Sequence, residues 1–184
     1  MDMSFTAEQS LIRKARAGDE ISFEKLVNAF TPDLFRVVRR MTEDVKEAEA
    51  VIQETFWRVW QALSRYREDR RFFPYLVTIA ANLMRDTWRK ERRNFPDELD
   101  EIVDLPDDLP TPETQIEEME HLQALANAVE TLPVLYRAAI ALRYDGGLSY
   151  EELAAALDLP LNTVRTHLRR AKLLLRERLE ESYE

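Results

Sequence analysis

The sequence predicts an all-α protein of two small helical domains joined by an acidic, proline-containing linker. Apolar residues recur every three or four positions through most of the chain, which is the spacing of amphipathic helices. The alternation expected of a half-buried strand is absent from the sequence. Residues 94–118 contain four of the eight prolines and no lysine or arginine, so this stretch predicts an extended connection.

The composition is typical of a folded cytoplasmic protein. Its 184 residues are 45% apolar and 33% charged. Cysteine is absent, which excludes disulfides, thiolate nucleophiles and cysteine zinc sites. The longest uncharged stretch, Phe72–Met84, has 13 residues, whereas a membrane span needs about 20. The amino terminus lacks the basic start and apolar run of a secretory signal, so we expect neither membrane insertion nor export.

Charge is strongly segregated along the chain. Residues 94–136 carry 12 acidic residues and no basic residue, whereas residues 1–93 have a net charge of +3 and residues 137–184 are neutral. The overall charge of −9 therefore comes from the middle of the chain. Because the local charge sets the local field, the acidic total does not exclude nucleic-acid binding by the two flanks.

The first flank predicts five helices. Thr31 and Pro32 are the residue types that open a helix, so they divide the second predicted helix from the third. A loop over Ser64–Phe73 precedes the fifth, which begins apolar and ends basic. The predicted helices lie around Leu11–Ala15, Phe23–Phe30 and Leu34–Met41, then over Val45–Leu63 and from Pro74 to about Arg92.

The second flank predicts a helix-turn-helix. Helices are expected from about Ile116 to Glu130 and over Pro133–Tyr144, ended by Asp145-Gly146-Gly147. Ser149 and Glu152 form a capping-box pattern that starts the next helix. After a short turn, Asn162 is expected to cap the final helix, whose core stripe is Val164, Leu168, Ala171 and Leu175. Its opposite side carries residue types that contact phosphates and base edges from the major groove: Thr163, Arg165, Thr166, Arg169, Arg170 and Lys172.

Five segments in this order resemble the extracytoplasmic-function sigma factors, the small two-domain promoter-specificity subunits of bacterial RNA polymerase. They are EAEAVIQETF at 47–56, WQALSRYR at 60–67, FPYLVTIAAN at 73–82, LSYEELA at 148–154 and TVRT at 163–166. The resemblance covers nearly the whole chain. It implies that residues 1–93 form sigma region 2, that 94–118 are the flexible linker, and that 119–184 form sigma region 4.

The resemblance implies that region 2 docks on core polymerase. In relatives a Gln-Glu pair on this helix contacts a coiled coil of the largest polymerase subunit, so Gln53 and Glu54 are the docking candidates. Relatives usually have an aspartate just before the motif, where this chain has Ala50. One polar docking contact is therefore either missing or supplied by another residue.

Region 2 of relatives also recognises and melts the minus-ten promoter element, which requires that an unpaired base be captured by stacking and hydrogen bonds. Tyr66 is the preferred pocket residue, and Phe73 and Tyr75 are expected to belong to the core. Basic residues at the end of the fifth helix are expected to follow phosphates. The candidates for minus-ten recognition and melting are Tyr66, Arg70, Arg71, Phe72, Asn82, Arg85, Arg89 and Lys90.

Region 4 of relatives reads the minus-thirty-five element. The candidates are Arg143, Thr163, Arg165, Thr166, Arg169 and Arg170, with Arg143 contacting phosphate from the preceding helix end. The acidic linker either enters the polymerase active-site cleft, as in relatives, or acts as a solvated tether. An anti-sigma factor is a further possible partner.

Two other functional classes are open to a sequence of this kind. A helix-turn-helix regulator would bind DNA alone as a dimer, whereas a sigma factor would need core polymerase. An enzyme is disfavoured because His121 and His167 stand apart from any nucleophile, phosphate loop or metal-ligand spacing. We therefore expect a non-catalytic protein without cofactor or metal.

Overall fold

A computed structural model describes residues 5–67, 71–94 and 115–181, and these residues form eight α-helices without any strand. The predicted all-α class is confirmed. None of the helices in these ranges is long and apolar enough to cross a bilayer. The helices are α1 (Phe5–Arg16), α2 (Glu20–Met41), α3 (Val45–Ala62), α4 (Phe72–Asn94), α5 (Gln115–Glu130), α6 (Val134–Ile140), α7 (Tyr150–Leu157) and α8 (Leu161–Glu181).

Helix α2 corrects the prediction of a helix break at Thr31 and Pro32. The helix continues through Pro32 to Met41, because proline removes only one backbone donor and its ring lies on the exposed side. The Thr31 hydroxyl donates a hydrogen bond of 2.7 Å to the carbonyl of Val27. Asp19 caps the beginning of the helix by accepting from the backbone amides of Ile21 and Ser22. The buried stripe from Leu26 to Met41 therefore belongs to one long helix.

The predicted loop between α3 and α4 is shorter in the structure. A 3₁₀ turn over Leu63–Arg65 follows α3, and α4 already begins at Phe72. The Glu8 carboxylate accepts a hydrogen bond from the backbone amide of Phe72, so a residue of α1 caps α4. The pKa of Glu8 is raised above its ordinary value, because desolvation outweighs this hydrogen bond and the nearby Arg71, which both lower it. Residues 68–70, and with them Arg70, lie outside the described residues.

The carboxy-terminal half begins with α5 at Gln115, within the range predicted as linker and next to the predicted helix start at Ile116. The remainder of the linker, residues 95–114, lies outside the described residues, as do the predictions that concern it. Helix α6 ends earlier than predicted, because a π-helical turn over Ala141–Asp145 replaces its last part. The amide of Gly146 donates to the carbonyl of Ala141 at 2.8 Å and closes this wider turn.

The helix-turn-helix has the predicted capping box. The Ser149 hydroxyl accepts from the amide of Glu152 at 3.2 Å, and the Glu152 carboxylate accepts from the amide of Ser149 at 2.8 Å. Asp158 ends α7 in the left-handed conformation, with φ of 55°. The expected cap at Asn162 is wrong: α8 starts at Leu161, directly after Pro160, so Asn162 already lies inside the helix.

The two halves share one continuous hydrophobic core. Helix α4 lies at its centre and packs against α2 and α3 on one side and against α6 and α7 on the other. It buries two stripes: Phe72, Leu76 and Ala80 form one, and Val77, Ala81, Met84 and Trp88 form the other. Of the first stripe only Leu76 and Ala80 were predicted to be apolar helix positions, and the second stripe was not predicted.

Candidate docking groove and nucleic-acid interface

A groove of about 820 Å³ lies between α2 and α3. Its floor is aromatic: the Phe23 ring lies 4.8 Å from Trp60 and 6.5 Å, edge-on, from Phe56. Trp57, at its edge, is 57% exposed. Three carboxylates of Glu20, Glu24 and Glu49 also line the groove. An apolar surface with an acidic edge matches an amphipathic helix that carries basic residues.

Of the two predicted docking residues, Gln53 lines this groove and Glu54 does not. Gln53 is exposed and lines the groove, and the neighbouring Glu54 forms an ion pair of 2.7 Å with Arg58 one turn away. Ala50, which stands where relatives have aspartate, is exposed. Glu49 lines the groove beside it and provides a carboxylate there. Glu49 is not among the docking residues predicted from the sequence.

The structure buries the preferred base-pocket residue. Tyr66 is 5% exposed, and its ring lies 5.4 Å from Phe72, edge-on, and 5.0 Å from Tyr75. Phe72 is fully buried against Phe30 at 5.4 Å. Both side chains thus belong to the core in this conformation. Base capture by either remains a prediction, and it would require these rings to become accessible.

An accessible face of α4 lies next to this aromatic cluster. Tyr75, Thr78 and Asn82 follow at spacings of three and four residues, which places them on one side of the helix. Arg71 directly precedes the first residue of α4. Arg71 and Asn82 are exposed, and Tyr75 and Thr78 are half-buried. Burial raises the pKa of the Tyr75 phenol. Tyr75 packs against the core as expected. The accessible face was not among the predicted features, although the spacing from Tyr75 to Asn82 indicates it.

The basic candidates of α4 differ in how far the structure describes them. Arg85 donates to the Asn82 side-chain oxygen and, at 3.3 Å, to the backbone carbonyl of Ala155 in α7. This second contact joins a predicted phosphate-binding residue to the helix-turn-helix. Arg89 and Lys90 belong to α4, and their side chains lie outside the described part of the chain.

The final helix has the predicted two-sided character. Val164, Leu168, Ala171 and Leu175 are buried, which confirms the core stripe. On the other side Arg165 is exposed, while Thr163, Thr166, Arg169 and Arg170 are partly exposed. The Thr166 hydroxyl donates to the carbonyl of Asn162 at 3.0 Å, and one Arg165 nitrogen lies 3.4 Å from the Asn162 side-chain oxygen. Both links hold candidate side chains close to the start of α8.

Two further side chains stabilise the helix-turn-helix that carries the exposed side of α8. Arg143 donates to the carbonyl of Leu148 at 2.9 Å, and its guanidinium lies 5.1 Å from the centre of the Tyr150 ring. It therefore braces the start of α7 as well as being the predicted phosphate contact. His167 is fully buried, with its ring 5.2 Å from that of Tyr136, so it anchors α8 to α6.

Each half of the chain matches a known protein family. The family described as Sigma-70 region 2 matches residues 26–94, and the family described as Sigma-70, region 4 matches residues 122–175. The RNA polymerase sigma-H factor of Pseudomonas aeruginosa is 30% identical, with 90% of each chain covered. The ECF RNA polymerase sigma factor SigW of Bacillus subtilis is 28% identical over 92% of this chain and 95% of its own.

Among solved structures, the chain is similar to CnrH, which is described in complex with the cytosolic domain of CnrY. The TM-score is 0.59 and the identity 26%, with 95% of this chain and 97% of the other covered. The likeness therefore extends over both halves of the molecule.

Proposed function

The chain belongs to the extracytoplasmic-function group of the sigma-70 family and directs transcription initiation, and we propose that it does so through three separate surfaces. The groove between α2 and α3 docks on core RNA polymerase. The accessible face of α4 engages the minus-ten element, and the exposed side of α8 reads the minus-thirty-five element. Members of this family are non-catalytic, and we infer that this chain too acts in the cytoplasm without a reaction or cofactor of its own.

The docking proposal rests on the groove between α2 and α3, the single observation that carries the assignment. Gln53 and the exposed Trp57 lie along it together with Glu49. A partner helix that filled the groove would bury Trp57, and a buried tryptophan is among the residues that dominate binding energy. Glu49 would supply the acidic contact that Ala50 lacks.

Purified core polymerase provides the test. We expect Trp57→Ala to weaken core binding about 30-fold, because truncating a binding hot spot costs roughly 2 kcal/mol. Lys25→Ala is a matched control, since Lys25 is exposed on α2 but does not line the groove. Equal affinities of the two variants would exclude the groove as the docking surface.

The minus-ten proposal rests on two exposed residues, Asn82 on the accessible face of α4 and Arg71 directly before its first residue. Their guanidinium and amide groups can hold a phosphate and an unpaired base edge. Asn82→Ala should leave core binding unchanged and reduce permanganate reactivity of melted thymines. Normal reactivity in this variant would remove Asn82 from the melting surface.

The minus-thirty-five proposal places the amino-terminal part of α8 in the major groove, where Arg165 is exposed. Run-off transcription with purified core polymerase on fragmented genomic DNA tests promoter choice and activity together. Strong footprints by the chain without polymerase would instead favour a stand-alone regulator.

We further propose that an anti-sigma factor controls this protein. CnrH, which shares the fold over both halves, is described in a complex with part of another protein. An antagonist that occupied the groove would compete with polymerase for Gln53 and Trp57. Co-purification of the chain from its own cells, followed by competition with core polymerase, would test for such a protein.

A further inference from the structure

The final helix carries a polar side chain that is not among the candidates for minus-thirty-five recognition. The sequence predicts Asn162 as the cap of α8, but Asn162 is the second residue of the helix, which begins at Leu161. Asn162 is exposed. Its side-chain oxygen lies 3.4 Å from one nitrogen of Arg165, three residues further on. The side-chain amide is therefore turned along the exposed side of α8.

Asn162 shares one face of α8 with residues that are proposed to meet DNA. Arg165, Thr166 and Arg169 follow it at three, four and seven residues, which is the spacing of a single helix face. The buried stripe that begins at Val164 lies on the other side. In helix-turn-helix proteins the amino-terminal residues of the second helix contact the base edges. Asn162 is the first residue of the face that α8 would present in this way.

The polar groups on this face differ in the base edges that they can recognise. The guanidinium groups of Arg165 and Arg169 are donors only. The Thr166 hydroxyl donates to the backbone carbonyl of Asn162 at 3.0 Å, so its proton is already used within the helix. Asn162 is the only carboxamide residue within Leu161–Glu181, and its side chain has both donors and an acceptor. This combination matches the major-groove edge of adenine, which presents N7 as an acceptor and the N6 amino group as a donor.

The contact with Arg165 is compatible with such a base contact. A carbonyl oxygen has two lone pairs, so the Asn162 oxygen can accept from Arg165 and from an adenine amino group together. The amide nitrogen brings two donors, one of which can serve N7. Because Arg165 restrains the amide before DNA arrives, less conformational entropy is lost on binding.

Helix stability alone would favour another residue at this position. Asparagine is a poorer helix former than alanine, because its side chain competes for backbone hydrogen bonds and favours caps and turns. Asn162 is exposed, so it adds little to the hydrophobic core. A residue that lowers local helix propensity at an exposed position is typical of a functional site.

We propose that Asn162 reads an adenine of the minus-thirty-five element through a two-point contact with N7 and the N6 amino group. Arg165 positions the amide through their hydrogen bond. The proposal rests on the proposed placement of α8 in the major groove. It extends that placement, because it names the base that one position of the element should carry.

A promoter library tests the proposal with the full chain and core polymerase. The probe is a set of DNA fragments in which the minus-thirty-five region is randomised upstream of the minus-ten element of a promoter found by run-off transcription. Sequencing of the fragments bound by the holoenzyme reports the base preference at each position. The unchanged chain should enrich adenine at one position. Asn162→Ala should reduce this preference about fivefold or more, the discrimination expected of a two-point contact, and should keep the preferences at the other positions.

Asn162→Asp separates base reading from a supporting role. Aspartate keeps an oxygen for Arg165 and nearly the same shape, but it has no donor and accepts from the amino group of cytosine. The preferred base at the same position should therefore change from adenine to cytosine. An unchanged adenine preference in this variant would show that Asn162 only orients Arg165, and it would overturn the proposal.

Asn127→Ala is the matched control, because Asn127 is an exposed asparagine of α5 in the same half of the chain. It should leave the preference at every position unchanged. Urea unfolding checks the fold of the variants. Asn162→Ala should unfold at the same urea concentration as the unchanged chain or at a higher one, since alanine favours the helix. A clearly lower midpoint would assign the amide to the stability of the fold and overturn the proposal.

The outcomes of the library experiment also separate the role of Asn162 from that of α8. If the unchanged chain shows no base preference anywhere in the randomised region, the placement of α8 at the minus-thirty-five element fails, and the role of Asn162 fails with it. If a preference exists and Asn162→Ala retains it at every position, α8 keeps its proposed role and the assignment of Asn162 is wrong.

Discussion

The amino-terminal half has two faces that differ in accessibility. One is the groove between α2 and α3, and the other is the interdomain seam, where α2 and α4 pack against α6, the π-helical turn and α7. The groove exposes Trp57 and Gln53 in the closed form, whereas the seam buries Val77 and engages Arg85. Polymerase docking at the groove therefore does not require the halves to separate, whereas a DNA phosphate bound by Arg85 would have to replace its contact with Ala155. This difference predicts an order of events in which docking comes first and opening follows.

The largest expected effect comes from preventing the opening. Arg40→Cys/Asp145→Cys, joined by a short bismaleimide, would hold the halves together at the position of the original ion pair. We expect the cross-linked chain to bind core polymerase normally, because the groove stays accessible, and to lose run-off transcription by at least tenfold. The reagent-treated single-cysteine variants are the controls. Full transcription by the cross-linked chain would show that initiation does not require the two halves to separate.

A second prediction sharpens the distinction between core and accessible surface near the start of α4. Tyr66→Ala should lower the free energy of unfolding by about 3–5 kcal/mol, the usual cost of deleting a buried aromatic ring. Tyr66→Phe keeps the ring contacts with Phe72 and Tyr75 and should be far less destabilising. Urea unfolding measures both. A fully stable Tyr66→Ala variant that fails to melt promoter DNA would instead support the original assignment of Tyr66 to the base pocket.

A third prediction concerns the accessible side of α8. Arg165→Ala should weaken binding of the holoenzyme to the minus-thirty-five element by about 1–3 kcal/mol. If Arg165 reads a base edge, the loss depends on the sequence. If it holds a phosphate, all sequences weaken alike and the salt dependence of binding becomes less steep by about one charge. Arg176→Ala, further along α8 and paired with Glu180, is the control and should have little effect.

Local signals in the sequence were sufficient for much of this architecture. The Ser149–Glu152 capping box and the stripe from Val164 to Leu175 depend on residues a few positions apart, and both are present in the structure. The same is true of the stop after Asp145. The exposure of Gln53 and Arg165 also follows from helical spacing alone.

The structure differs from the sequence-based predictions where contacts between distant residues determine the local conformation or burial. Pro32 resembles a helix start, but the core contacts on both sides of it continue one helix. The stripe from Val77 to Trp88 has partners at least 46 residues further along the chain, in α6 and α7. Tyr66 is buried because Phe72 and Tyr75 pack around its ring, and Phe30 completes the cluster on the other side of Phe72. No periodicity within a single helix reveals such contacts.

The smallest expected effect separates the charge of Asp145 from its position in the seam. Burial raises the pKa of Asp145 more strongly than Arg40 and Arg36 lower it, so the folded protein favours the neutral carboxyl group more than water does. Asp145→Asn preserves the shape without the charge. We expect its unfolding free energy and interdomain distances to stay close to those of the unchanged chain at neutral pH.

The raised pKa of Asp145 predicts how the stability difference between Asp145→Asn and the unchanged chain varies with pH. A carboxyl group with a raised pKa contributes stability when it is protonated, and this contribution is lost as the pH rises from the ordinary aspartate pKa through the raised one. Asp145→Asn has no titrating group at this position, so its stability does not fall with rising pH for this reason. Its stability relative to the unchanged chain should therefore be greatest at neutral pH and should decline toward zero as the pH falls below about 4. A strongly destabilised Asp145→Asn variant at neutral pH would mean that the attraction of Arg40 outweighs the desolvation of Asp145, and the seam would then depend on charge as much as on packing.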